Sequence, residues 1–291
     1  MLLQLILLGM AIGGVYAMVG LGYNATYWTL GIVNFAQGEF LMIVVMLTLG
    51  LTAWFQIPTV LSLVFALVIG ALLSVILERV AINPLMKHPS SIGWIVATLG
   101  AGIMLQSGAA TIWGTSEMAF PPIFSVRRAI HIGETVLSLQ LVLIFLITIL
   151  VIVLFELFMN KTLFGKAIKA TALDREAARM MGIPAKRIIT FSVILSAVLA
   201  GLAGVLVAPV VSAGPYMGSV LAIKGFATAV LGGMGSSRGT FAAGMIIGVS
   251  EMLTSGYLSP AIKDVTSLLI LFFILLVMPH GIFGKKVLEK V

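Results

Sequence analysis

The chain has 291 residues, of which 60% are hydrophobic and only 9% are charged, and its formal net charge is +7. A soluble domain carries about 25% charged residues, so a composition this apolar excludes a purely soluble protein. The chain contains no cysteine, which excludes a disulfide framework and a thiolate metal site. In a membrane protein, a positive net charge is more typical of basic cytoplasmic loops than of a nucleic-acid partner.

Nine hydrophobic windows follow one another along the chain, and most are long enough to cross a bilayer as helices. They cover residues 2–23, 39–55, 58–80, 92–113, 137–159, 188–210, 219–234, 240–256 and 264–280. The first window lacks a basic start and a cleavage site, so we interpret it as a retained span. The seventh is short and is interrupted by Lys224 and glycines, which leaves eight or nine spans. We predict an all-α polytopic membrane protein in which residues 1–291 form a single domain.

Two glycine-marked breaks interrupt the hydrophobic pattern. They read LGIVNFAQGEF at residues 30–40 and LGGMGSSRGTF at residues 231–241. With an offset of 201, Gly31 matches Gly232, Gly38 matches Gly239 and Phe40 matches Phe241. These matches raise the hypothesis of an internal repeat, because interrupted helices at corresponding positions of two repeats recur in transporters.

Both breaks are candidates for a translocation path, because unwound backbone at membrane depth is tolerated only inside protein or beside water. The candidate lining residues are Asn34, Gln37, Glu39, Gly232, Gly233, Gly235 and Ser236. Together they would let a small zwitterion pass without holding it tightly. For each residue alone, the alternative is ordinary helix-end capping, with Asn34 or Ser236 satisfying backbone groups and Glu39 favoured by the helix dipole.

The segment 160–187 lies between two spans and carries a strong excess of positive charge. It holds seven basic residues, Lys161, Lys166, Lys169, Arg175, Arg179, Lys186 and Arg187, against two acids, Asp174 and Glu176. The tail adds Lys285, Lys286 and Lys290, whereas the loop 114–136 has two bases and two acids. The positive-inside bias therefore predicts that segment 160–187 and the C-terminus are cytoplasmic and that loop 114–136 and the N-terminus lie outside.

Within this segment we predict a short helix near residues 172–181. Thr171 followed by Asp174 resembles a capping box, Gly182 suits the position after the helix, and Pro184 prevents continuation. Helical spacing places an apolar stripe on one side, formed by Ala170, Leu173, Ala177, Met180 and Met181. A helix this short must pack on something. One alternative is an amphipathic helix lying on the lipid headgroups.

The spacing of Glu176, Ala177, Ala178 and Gly182 forms an E-A-A-x-x-x-G pattern in a loop between spans. This pattern resembles the loop by which permease subunits of ABC importers dock on their ATPases. Four longer blocks extend the resemblance to the branched-chain amino acid ABC transporter permeases of the LivH type. The blocks are GLGYNATYWTLGIVNFAQGEFLMIVVML, GKAIKATALDREAARMMGIPAKRIITFSVILSAVLAGLAGVL, IKGFATAVLGGMGSSRGTFAAGMIIGVSE and MPHGIFGKK.

The resemblance implies a non-enzymatic subunit that forms half of an inner-membrane channel for branched-chain amino acids or a related small amino acid or amide. The implied partners are a second permease subunit, two cytoplasmic ATPases, a periplasmic substrate-binding protein and the lipid bilayer. The implied ATPase-coupling residues are Asp174, Arg175, Glu176, Ala177, Ala178, Arg179, Met181 and Gly182. The chain lacks a G-x-x-x-x-G-K-[ST] motif, so we expect it to bind no cofactor and expect ATP and Mg²⁺ to be held by the partner ATPases.

Two other classes of protein fit the sequence less well. An ion-coupled secondary transporter also uses broken helices, but it would need carboxylates deep in the membrane. Glu251 is the candidate, and its alternative is a position near the outer end of its span. An intramembrane enzyme lacks support, because the sequence offers no paired acids, Ser-His arrangement or histidine cluster, and no catalytic residue or metal ligand is predicted.

Overall fold

The computed structural model describes residues 2–85, 92–121, 129–132 and 135–284, and these residues are mainly helical. The helices are α1 (Leu2–Leu30), α2 (Gln37–Phe55), α3 (Thr59–Leu77, continued by a π-helical turn, Glu78–Ile82), α4 (Gly93–Trp113), α5 (Leu139–Lys161), α6 (Leu163–Leu173), α7 (Arg175–Met180), α8 (Ala185–Val211), α9 (Met217–Gly232), α10 (Ser237–Tyr257) and α11 (Lys263–Val277), which follows a short 3₁₀ turn (Pro260–Ile262). This confirms the predicted all-α polytopic class.

The described residues add one feature that the sequence analysis did not predict. Strands β1 (Ala129–Ile132) and β2 (Thr135–Ser138) form an antiparallel pair in which Ala129 lies opposite Ser138. The pair falls within and just after the loop 114–136. It leaves the helical body unchanged, because β2 leads directly into α5.

Seven helices in the described part of the chain are long and apolar enough to cross a membrane. They coincide with seven of the predicted windows. The windows 219–234 and 240–256 form α9 and α10, which fall outside this group, and α9 has only 16 residues. Both nevertheless run between the same two faces of the molecule: α9 begins beside the end of α8, and α10 returns from the second break toward the start of α1.

Helix α1 lies at the centre of the bundle and packs directly against α10. Gly9 and Gly13 of α1 face Gly244 and Gly248 of α10, and a Cβ added at Gly13 would overlap the carbonyl oxygen of Gly244. Each pair is a G-x-x-x-G arrangement, which lets two helix backbones approach closely inside a membrane. Most of α1 from Gly9 onward is buried in consequence.

The two ends of the bundle are distinct. At one end the last turn of α1, the loop between α5 and α8, the second break and the segment after α11 come together, as contacts of Thr29 with Arg175 and of Leu231 with Ile282 show. At the other end Met118 pairs with Ala213, close to the last residues of α8. Helix α8 spans about 40 Å between these ends at 1.5 Å per residue. Segment 160–187 and the described residues 278–284, which precede the C-terminal tail, thus share one face, opposite residues 114–118.

Candidate functional site

The predicted helix at 172–181 is in fact two helices, and this corrects both its start and its cap. Helix α6 runs to Leu173, and Asp174 has an extended backbone that separates it from the six-residue α7. The Asp174 side chain accepts hydrogen bonds from the backbone amides of Glu176 and Ala177, both at 2.9 Å. Thr171 does not cap α7, because its hydroxyl donates to the carbonyl of Ala167 inside α6. Asp174 therefore acts as the N-cap itself.

The end of α7 matches the prediction for Gly182. Gly182 has a φ of +82°, and its amide donates to the Arg179 carbonyl at 3.0 Å, while the Ile183 amide donates to the Ala178 carbonyl at 3.0 Å. This pair of hydrogen bonds is the Schellman motif, in which a left-handed residue closes the helix. With Asp174 at its start, α7 is capped at both ends, although six residues alone would not form a stable helix.

In the described structure, the predicted apolar stripe of this segment faces outward at all of its positions except the half-buried Ala170. Leu173 is 89% exposed, and Met180 and Met181 are each 83% exposed. Ala177, Glu176 and Arg179 are also exposed, whereas Ala178 is buried against the protein. Exposed methionine and leucine side chains beside a charged flank form a surface that another molecule can cover. We call the exposed residues 173, 176, 177 and 179–181 the docking surface.

Arg175 connects the docking surface to the bundle. Its side chain is partly buried and donates a hydrogen bond to the carbonyl of Thr29, in the last turn of α1. Burial, followed by the charge of Arg179, lowers the pKa of the Arg175 guanidinium from its usual value, but an arginine stays protonated at any physiological pH. Of the predicted coupling residues, Arg175 thus points inward, and it joins α7 to the helix that precedes the first break.

At the first break, two of the predicted path residues are engaged within the chain. Asn34 is buried, and its side-chain oxygen accepts from the Ala36 amide at 3.1 Å. Gln37 is also buried, and its side-chain amide bonds to Ser196, with Nε2 donating to the backbone carbonyl and Oε1 lying 2.6 Å from the hydroxyl. The Gln37 contacts hold the start of α2 against α8, and the Asn34 contact is local to the break.

Glu39 differs from the other predicted path residues because it lines a cavity. The cavity has a volume of about 220 Å³ and lies between α1, α2, α4 and α9. One carboxylate oxygen of Glu39 accepts a hydrogen bond from the Ser219 hydroxyl at 3.1 Å, and that hydroxyl accepts from Gln106 at 3.1 Å. The other oxygen, Oε2, is buried and has no hydrogen-bond partner within the described residues.

The second break is a tightly packed turn at the same end of the bundle as α7. Gly233 and Gly235 have φ values of +90° and +91°. Gly235 is held by two side chains of α1, since its amide donates to Asn24 and its carbonyl accepts from Trp28, both at 3.0 Å. Ser236 caps α10 by accepting from the Gly239 amide at 3.1 Å.

This second turn also has close backbone neighbours. A Cβ added at Gly232 would overlap the backbone of Gly239, and one added at Gly233 would lie 2.5 Å from the amide of Gly284. The described contacts of Ser236 are those of a helix cap. The role of these residues in a path remains a prediction.

A buried ionic cluster near the opposite end of the bundle was missed by the sequence analysis. Lys224 lies 3.0 Å from Glu251 and 2.7 Å from Asp264, and Tyr16 donates to Glu251 at 2.8 Å. Lys224 interrupts an apolar window, which was the available signal, but one sequence could not name its partner 27 positions away. Because Lys224 and Tyr16 bond to Oε2 of Glu251 and the Lys224 ammonium neutralises its charge, this residue offers poor support for an ion-coupled transporter.

The architecture defines an α-helical integral membrane protein with a short, doubly capped helix exposed at one face. A family model described as "Branched-chain amino acid transport system / permease component" matches residues 5–278. The chain belongs to this family of membrane transport permeases.

Three curated relatives are similar over nearly their whole length. The high-affinity branched-chain amino acid transport system permease protein LivH of Escherichia coli K12 is 33% identical, over 99% of this chain and 97% of the relative. Its counterpart BraD of Pseudomonas aeruginosa is 30% identical, over 99% and 98%. A probable branched-chain amino acid transport permease protein LivH of Methanocaldococcus jannaschii is 32% identical, over 92% and 88%.

Proposed function

We propose that this chain is the permease subunit of an ABC importer and forms half of a channel for branched-chain amino acids or a related small amino acid or amide. The observation that carries the proposal is the docking surface, where the apolar side chains of Leu173, Met180 and Met181 and two charged ones stand exposed on and beside a helix capped at both ends. Such a surface suits a complementary groove on a second protein. The names of the relatives support the substrate class.

In this proposal the chain is a single permease domain and not an enzyme, and it holds no cofactor of its own. ATP and Mg²⁺ bind to two cytoplasmic ATPase subunits, a second permease subunit completes the channel, and a periplasmic binding protein delivers the substrate. The protein lies in the inner membrane with its C-terminus and α7 in the cytoplasm. The excess of basic residues in segment 160–187 supports this orientation.

Coupling then follows a physical route through the described contacts. An ATPase that moves when it binds or hydrolyses nucleotide would displace α7 through the docking surface. Arg175 would transmit that displacement to Thr29 at the end of α1. A charge-assisted hydrogen bond contributes about 1.5–3 kcal/mol, enough to make this contact a firm link between the loop and the bundle.

The proposal is tested by co-purification of the tagged chain with its ATPase. We expect Met180→Glu to reduce ATPase retention at least about tenfold, because a carboxylate placed in an apolar contact must be desolvated. Leu258→Glu is the matched control, since Leu258 is 75% exposed at the opposite end of the bundle, and it should retain the ATPase. Equal retention by wild type and Met180→Glu would contradict the assignment of α7.

A further inference from the structure

The cavity beside Glu39 has one anionic end, where Ser219 and Gln106 also lie, and most of its other walls are apolar; it is open on the side of Ile103 and Ile223, which are 62% and 56% exposed. Its walls include the aromatic rings of Tyr23, Phe35 and Phe226 and the aliphatic side chains of Leu99, Ile103 and Ile223. None of the described lining residues is lysine, arginine or histidine. The cavity is therefore complementary to a molecule that combines a cationic group with a branched apolar side chain.

The Glu39 carboxylate is held in position for such a cation. Ser219 has one hydroxyl proton, which it donates to Oε1, and its oxygen accepts from Gln106. Glu39 is only 7% exposed, and its other oxygen, Oε2, lacks a hydrogen-bond partner among the residues that the structure describes. A buried carboxylate oxygen without a partner is costly, and an arriving cation removes that cost.

The aromatic rings extend this preference. Phe226 packs edge-on against Tyr23 with ring centroids 5.7 Å apart, and Phe35 lies 6.1 Å from Phe226. The negative faces of aromatic rings attract cations, and more strongly where water is excluded. The rings also provide apolar surface for an aliphatic side chain.

We propose that Glu39 receives the ammonium group of the amino acid in transit, while the ring cluster and Ile103 contact its apolar side chain. The inference rests on the proposed function, and it specifies one residue that selects for the charged amine. The carboxylate of the substrate gains no basic partner here, so this cavity recognises the amine and not the whole zwitterion. An anion of the same shape should be excluded by Glu39.

The test uses thiol labelling, which the absence of cysteine makes straightforward. Ile103→Cys places a thiol in the cavity wall, and its alkylation rate is measured in membrane vesicles that contain the complete transporter. Leucine and 3-methylbutylamine should slow the alkylation, whereas 4-methylpentanoate, which has the same chain without the amine, should not. Met104→Cys is the matched control: Met104 is the next residue of α4, is 70% exposed and lies outside the cavity lining, so no compound should protect it.

Substitution of Glu39 then identifies the group that binds the amine. With Glu39→Gln, the 3-methylbutylamine concentration that gives half-protection of Ile103→Cys should rise about tenfold or more, the loss expected for one charge-assisted hydrogen bond. Glu39→Asp should keep part of the protection. Equal protection in Glu39→Gln, or protection by 4-methylpentanoate, would overturn the inference.

ATP-driven leucine uptake in the same vesicles separates this inference from the proposed function. Uptake without amine-specific protection would contradict only the role of Glu39. Protection without ATP-driven uptake would contradict the importer and leave the amine site standing.

Discussion

Lys224 and Glu251 are both buried, and each neutralises the charge of the other in apolar surroundings. Removing Lys224 leaves Glu251 as an uncompensated buried charge, whereas removing Glu251 leaves Lys224 paired with the exposed Asp264, and removing both leaves no buried charge. At the scale of single residues, the loss of stability caused by a substitution in this cluster therefore depends on whether it leaves a buried charge without a partner. The exposed carboxylate of Asp264 can still be hydrated.

We predict that Lys224→Met destabilises the protein by about 3–5 kcal/mol, that Glu251→Met costs less because Asp264 still pairs with Lys224, and that the double variant is more stable than Lys224→Met. The measurement is the Tm of the detergent-purified protein. A double variant no more stable than the weaker single variant would show that the two groups do not depend on each other.

Gly182 is limited by backbone conformation and not by space. Its φ is +82°, yet a Cβ added there would meet nothing within 4 Å. A leucine enters the left-handed region at a cost of about 1 kcal/mol or more. We therefore predict that Gly182→Leu distorts the C-terminal end of α7 without disturbing the spans. ATPase activity stimulated by the loaded binding protein and substrate uptake should fall together.

Gly182→Asn is the control for this prediction, because asparagine tolerates the left-handed conformation at the end of a helix. It should retain more of both activities than Gly182→Leu. Wild-type coupling in Gly182→Leu would mean that α7 is an element of the lipid surface.

At the scale of helices, contact between α1 and α10 depends on the absence of side chains. A Cβ on Gly13 would overlap the Gly244 carbonyl oxygen, whereas a Cβ on Gly108 of α4 would meet nothing within 4 Å. Gly13→Ala should therefore destabilise the fold by about 1–3 kcal/mol through overpacking. Gly108→Ala should leave the Tm unchanged or raise it, because alanine favours the helix. Equal Tm values for both variants would contradict this packing.

Helix α7 illustrates what local sequence determines. Gly182 was predicted correctly because its requirement, a left-handed residue after a helix, depends on the adjacent turn alone. The N-cap was placed at Thr171 because Asp174, three residues later, suits the second position of a capping box, although aspartate is itself a good N-cap. The choice between them depends on α6, whose last turn uses the Thr171 hydroxyl, and sequence spacing does not reveal that competition.

At the scale of the whole molecule, the described fold makes a prediction about sidedness. Lys169 in α6 and Glu117 beside the Met118 bridge lie at opposite ends of the bundle. A cysteine at Lys169 should react with an impermeant reagent from the cytoplasm only, and a cysteine at Glu117 from outside only. The reverse pattern would contradict both the orientation and the docking surface. Glu134, which the sequence also predicts to lie outside, falls beyond the described residues.

The spans were predictable because hydrophobic length is a local property, whereas the polar interior was not. Glu39 bonds to Ser219, 180 positions away, and Lys224 pairs with Glu251 in another helix. Such pairs follow from how the helices pack, which a single sequence without relatives does not specify. The sequence therefore grouped Glu39 with Asn34 and Gln37 as candidate path residues, and it could not show that Glu39 lines a cavity while Oδ1 of Asn34 and the amide of Gln37 bond within the fold.

The close packing of α1 against α10 determines where the bundle can move. The backbone of Gly9 and Gly13 is in contact with Gly244 and Gly248. Sliding of α1 along α10 would force these backbones to overlap. We therefore expect the two helices to move as one rigid body when α7 displaces Arg175 and Thr29. The motion must then be taken up elsewhere. Residues 31–36 are non-helical and begin at Gly31, which has a φ of +70° and open space around it. We expect any change in the angle between α1 and α2 to be taken up in this non-helical link.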